Sequence, residues 1–138
     1  MKIVVGTDEA RPVVDHLAKY FRERGHDVTV LPVAKWADMA ADVAHRVASG
    51  EFAQGVVCCW TGTGASIAAN KVKGIRAALC VDAATAAGAR KWNDANVLAL
   101  SLRLASEPVV TEIADAWLEA KYESTEDDSL ARIRREEL

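Results

Sequence analysis

Apolar residues along this chain fall into five short, nearly unbroken runs, separated by longer stretches in which they recur every three or four positions. The runs are Lys2–Gly6 (KIVVG), Asp27–Leu31, Gln54–Cys59, Arg76–Val81 and Asn96–Leu100. Continuous apolar runs, as opposed to strict apolar–polar alternation, predict strands covered on both faces. The intervening periodicity predicts helices over Pro12–Arg24, Ala37–Ser49, Gly62–Val72, Ala83–Trp92 and Ser106–Tyr122. Pro12 fits a first helical turn, where its missing N–H costs nothing. Gly25 and Gly50 fit the stops of the first two helices, and Gly74 turns the chain into the fourth strand.

Strands that alternate with helices predict an α/β fold. The expected form is a three-layer αβα sandwich around a five-stranded parallel sheet, Rossmann- or flavodoxin-like, in the order 2-1-3-4-5. At 138 residues the chain reads as one domain spanning 1–138. The tail STEDDSLARIRREEL predicts a charged last helix over about 125–138, with too few apolar residues to pack without a partner surface. In the expected order the chain reverses direction between strands one and three, and ligands bind there, beyond the carboxyl ends of the strands.

Composition narrows the function. The chain is 51% hydrophobic and 27% charged, with a net charge of -3, which argues against nucleic acid or an anionic membrane as partner. No apolar run approaches the roughly 18 residues that cross a bilayer, and MKIVVGTDEA meets an acidic residue too early for a secretory leader. The three cysteines, Cys58, Cys59 and Cys80, are an odd count without framework spacing. They read as reduced thiols of a cytoplasmic protein. His16, His26 and His45 fit surface or packing roles, so neither a metal nor a cofactor is expected.

Two loops meet at the reversal: GTDEAR after strand one, bringing Asp8, and CWTGTGAS after strand three, bringing Cys59. Side chains alternate along a strand, so Cys58 and Cys59 face opposite ways and only one looks into the crevice. A helix N-terminus offers unpaired N–H groups and partial positive charge, which bind anions and favour the thiolate of a neighbouring cysteine. Gly62 and Gly64 would let backbone amides approach an oxyanion closely. A thiolate beside an amide cradle suits proton abstraction next to a carbonyl, with the amides holding the enediolate charge. On pattern alone, paired cysteines ending a strand are also ordinary core residues, and Asp8 is also a candidate cap for the first helix. Both alternatives stand at this point.

The blocks GTGASIAANKVKGIRAALC and NDANVLAL, with the opening KIVVGTDEA, resemble the ribose-5-phosphate isomerase type B / galactose-6-phosphate isomerase family over about residues 1–120. The resemblance implies an aldose–ketose isomerase in which Cys59 shuttles a proton between carbons 1 and 2 of an open-chain sugar phosphate. Thr61 would lie beside the enediolate, Gly62, Thr63 and Gly64 would form the anion hole, and Asp8 would contact the sugar. Asn93 would reach the site from the other subunit of a homodimer, or of a tetramer, with shared active sites.

The chain departs from the family pattern at named positions. The usual GSDHAG stands here as GTDEAR, so Glu9 replaces a phosphate-contacting histidine and Arg11 a glycine. HNDAN stands as WNDAN, so Trp92 replaces the histidine credited with ring opening. Trp60 takes a position usually held by glycine, and two tail arginines map onto Asp128 and Arg132, losing one basic anchor. A carboxylate at Glu9 repels a dianion placed there. Arg11 either supplies the missing charge or pairs with Glu9. The expected function is isomerisation of a small sugar phosphate, with a four-carbon substrate favoured. Alternatives are ribose-5-phosphate isomerase or, in another class, a non-catalytic sugar-phosphate-binding protein or the inactive subunit of a mixed isomerase.

Overall fold

The computed structural model describes residues 1–137. Five strands alternate with helices in the order β1 (Lys2–Thr7), α1 (Pro12–Glu23), β2 (Asp27–Val30), α2 (Trp36–Ala48), β3 (Gln54–Cys59) and α3 (Thr63–Asn70). There follow β4 (Ala77–Leu79), α4 (Ala83–Asn93), β5 (Val97–Ser101), α5 (Glu107–Glu119) and α6 (Asp127–Arg135). Every strand pairing is parallel, as the unbroken apolar runs predict. The expected tail helix forms as α6 over nine residues, and Leu138 lies outside the described residues.

The sheet order is β2-β1-β3-β5-β4, which corrects the expected 2-1-3-4-5 by exchanging the last two strands. Burial explains the exchange. Val97–Ser101 is buried at every position, whereas β4 has shrunk from the expected Arg76–Val81 to three half-buried residues. A short, half-exposed strand suits a sheet edge, and a fully buried one suits the interior. The outer side of β4 is covered by a side chain: Asn70 donates from Nδ2 to the Ala77 carbonyl at 2.9 Å and accepts from the Ala77 N–H at 2.8 Å.

Two apolar layers sandwich the sheet. On one face Ile3, Val5, Val56, Cys58, Leu98 and Leu100 pack against Val14, Leu17 and Phe21 of α1, Ala86 of α4, and Ile113 and Trp117 of α5. On the other, Val4, Val57, Cys59, Val97 and Ala99 pack against Met39, Val43 and Val47 of α2 and Ala65 and Ala69 of α3. The division follows from right-handed crossovers, because connections that move opposite ways along the sheet lie on opposite faces. Within the first layer the indole N–H of Trp117 donates to the buried Gln54 side chain at 2.8 Å, so neither polar group is left unpaired. Helix α6 contributes no fully buried residue, and no described helix is long and apolar enough to cross a membrane.

Candidate active site

The strand register places Thr7 opposite Cys58 and Cys59 opposite Ser101, so β1, β3 and β5 end side by side. The chain still reverses between β1 and β3, and the two predicted loops leave the sheet there. Thr7 fixes the first: its hydroxyl donates to the Glu9 carbonyl at 2.7 Å and accepts from the Glu9 N–H at 3.3 Å. The Asp8 N–H donates to the Cys58 carbonyl at 3.1 Å, tying that loop to β3.

β5 holds the second loop. The Cys59 carbonyl accepts from the Leu102 N–H at 2.9 Å, and the Trp60 carbonyl accepts from the Arg103 N–H at 2.9 Å and the Ser101 hydroxyl at 3.0 Å. Sequence reasoning missed Ser101, whose signal was a single hydroxyl ending the run VLAL. Gly62 then turns the chain with φ of +77°, and a Cβ there would lie 2.5 Å from Leu79 and 2.9 Å from the Leu100 backbone. Only glycine takes that conformation in that space. Among the described residues no side chain caps the start of α3, so its first N–H groups are free to receive a ligand oxygen. The Thr61 and Thr63 hydroxyls lie 2.8 Å apart on its exposed rim.

Cys59 and Cys58 face opposite layers, as alternation requires. Complete burial, with Cys59 and then Asp8 adding to it, pushes the Cys58 thiol up to about 12. Cys58 therefore stays a thiol at neutral pH and is unsuited to act as a base. Cys59 ends β3 against the uncapped turn of α3, 5% exposed. The cap of α1 is Arg11, so Asp8 is not the helix cap that the sequence left open. Asp8 is half-buried, and its carboxyl is raised above the ordinary value by burial and then by Glu9.

Three tryptophans border this end of the molecule or its opposite. Trp36, the first residue of α2, lies flat on Gly64, where a Cβ would fall 2.9 Å from its ring. It was missed because the predicted helix began at Ala37 and left Trp36 in a loop. Its signal was a large apolar residue following the turn PVAK. Trp60 is 49% exposed, with the Arg11 guanidinium 5.1 Å above its ring. Arg11 also pairs with Glu9 at 3.2 Å.

The remaining predicted residues lie elsewhere. α4 runs back from the carboxyl end of β4, so Trp92 and Asn93 reach the amino ends of the strands, away from Cys59. Trp92 is 50% exposed there. The rest of the NDAN block is structural: Asp94 pairs with Arg76 at 3.4 Å and Arg90 at 3.5 Å, and Asn96 bonds the Arg76 N–H and the Gly74 carbonyl. Asn93 lines a groove of about 620 Å³ with Lys71, Arg76 and Ile133 of α6. Arg132 of α6 pairs with Glu136 at 2.6 Å. The single chain thus brings together Asp8, Glu9, Arg11, Cys59, Thr61, Gly62, Thr63 and Gly64, but not Trp92, Asn93 or Arg132.

Comparison with known proteins agrees with this architecture. Residues 3–135 match the family model described as Ribose/Galactose Isomerase. The chain is 37% identical to D-erythrulose-4-phosphate isomerase of Pectobacterium atrosepticum, over 89% of this chain and 86% of that protein. It is 38% identical to ribose-5-phosphate isomerase B of Escherichia coli, over 88% and 86%. The solved ribose-5-phosphate isomerase B of Clostridium thermocellum superposes with a TM-score of 0.95 at 36% identity, covering 99% of this chain and 97% of that one. A parallel sheet in this order, a thiol at the end of β3 facing an uncapped glycine turn, and this match over nearly the whole chain make it a member of the ribose/galactose isomerase family of sugar-phosphate isomerases.

Proposed function

We propose that this isomerase interconverts a four-carbon aldose phosphate and ketose phosphate, with Cys59 as the base. The observation that carries the mechanism is the placement of Cys59 at the end of β3, against the uncapped α3 turn that Gly62 makes. The Cys59 thiolate takes the proton from the carbon next to the carbonyl and returns it to the neighbouring carbon. Backbone N–H groups of the Thr61–Gly64 turn hold the enediolate oxygen as charge develops. Thr61 hydrogen-bonds the same region, and Asp8 contacts a substrate hydroxyl.

A second copy of the chain completes the site. Asn93, Trp92 and Arg132 lie at the opposite end of the sheet from Cys59, so only a partner subunit can bring them to it, and the reading is a homodimer with shared sites. Two features support the four-carbon substrate. Trp92 stands where the family pattern has its ring-opening histidine, and an indole cannot protonate a ring oxygen. A tetrose 4-phosphate has its terminal oxygen esterified and cannot close a furanose, so it needs no such acid. The named activity of the Pectobacterium relative is of this class.

The test is steady-state kinetics on D-erythrose 4-phosphate, D-erythrulose 4-phosphate and D-ribose 5-phosphate. A higher kcat/KM for the four-carbon pair is expected. Preference for ribose 5-phosphate would favour the second reading, ribose-5-phosphate isomerase, which the Escherichia coli and Clostridium relatives support.

A further inference from the structure

Glu9, Arg11 and Trp60 each replace a different residue of the family pattern, and they come from two separate loops, yet they touch. The Arg11 guanidinium lies over the Trp60 indole, 5.1 Å from the ring centroid. Its Nη2 donates to both Glu9 carboxylate oxygens, at 3.2 and 3.3 Å. Its Nε is buried and, among the described residues, has no hydrogen-bond partner. A buried donor left unpaired is rare, and here it belongs to a cation at the mouth of the crevice that β1 and β3 open.

We propose that Trp60 is a positioning residue that holds Arg11 as the ligand for the substrate's phosphate, and that this placement selects a short sugar phosphate. The inference rests on the isomerase reading above and adds the group that sets chain length. With glycine at position 60 there would be no face for the guanidinium to lie on. The indole supplies one through its π-electrons, and Glu9 fixes the rotation through Nη2 alone. Arg11 is thus held in place while, among the described residues, only its Nη2 is spent on hydrogen bonds, and phosphate oxygens are the acceptors for which a guanidinium is suited. Trp60 directly follows Cys59 in the chain, so the loop that carries the base also carries the face on which Arg11 lies. The phosphate of a tetrose lies one carbon–carbon bond, about 1.5 Å, nearer the reacting carbons than that of a pentose.

The experiment compares the unmodified enzyme with Trp60→Gly, Trp60→Phe, Arg11→Gly and the double variant Trp60→Gly/Arg11→Gly. Each is assayed on D-erythrose 4-phosphate and D-ribose 5-phosphate, and for competitive inhibition by inorganic phosphate. Either glycine variant should raise KM for the four-carbon substrate about tenfold or more, the low end for losing a hydrogen bond to a charged group. Its kcat should change far less, and the inhibition constant for inorganic phosphate should rise in parallel. The double variant should be no worse than the poorer single one, because both remove the same interaction. Trp60→Phe should restore most of the loss. Unchanged KM in Trp60→Gly, additive effects in the double variant, or preference of the unmodified enzyme for ribose 5-phosphate would overturn the proposal. Failure of the unmodified enzyme to turn over any sugar phosphate would overturn the isomerase reading instead.

Discussion

In the proposed mechanism the two adjacent cysteines divide their roles by the direction of their side chains. Cys59→Ala should lower turnover by about 100- to 10,000-fold, the usual range for a positioned general base. Cys58→Ala removes a sulfur from the layer beneath α1 and should cost about 1 kcal/mol of stability with most activity kept. Iodoacetamide should inactivate the enzyme through Cys59, and substrate should slow the reaction; full turnover by Cys59→Ala would refute the mechanism. Asp8 offers a separate test through pH. Burial and then Glu9 raise its carboxyl above 3.8, so the folded chain binds that proton more tightly than the unfolded chain does. Its contribution therefore favours folding at low pH and is lost as pH rises from 3.8 through the raised value. Relative to the unmodified chain, Asp8→Asn should gain stability across that interval, read as the difference in urea midpoints. A constant difference would dismiss the account. At this scale the sequence was legible where backbone geometry limits the choice, as with the opposed faces of Cys58 and Cys59 and the turn at Gly62. It was opaque for Trp36 and Ser101, whose roles come from what folds against them.

Among the elements, the five strand runs and the helix periods could be read, but β4 forms over only half of its expected run and the order of the last two strands could not be read. The clue was present, since VLAL is uniformly apolar while the fourth run is bounded by Arg76 and Asp82. It needed the judgement that the more buried run takes the interior. The two most distinctive sequence blocks both serve the edge strand that results: Asn96 bonds its leading turn, and Asn70 bonds its outer side. Asn70→Leu should cost about 1–2 kcal/mol for two partly exposed hydrogen bonds. It should also expose the Ala77 backbone, increasing edge-to-edge association. Urea unfolding with light scattering checks both, and a variant as stable and as dispersed as the parent would dismiss this role for Asn70.

For the whole molecule, the decisive feature is that α4 carries Asn93 back to the end of the sheet opposite Cys59. No periodicity reveals this, because it depends on which way each element runs. If sites are shared, a Cys59→Ala chain mixed with an Asn93→Ala chain should regain activity, since one of the two sites in each hybrid is intact. No recovery after demonstrated subunit exchange would count against sharing. The same separation has a genetic consequence. A chain carrying both substitutions spoils both sites of any hybrid, lending a defective half to each. Co-expressed equally with the normal chain, and pairing at random, it should leave about one quarter of the activity where independent sites would leave about one half. Such an allele would be dominant, although each lesion alone can be complemented by the other.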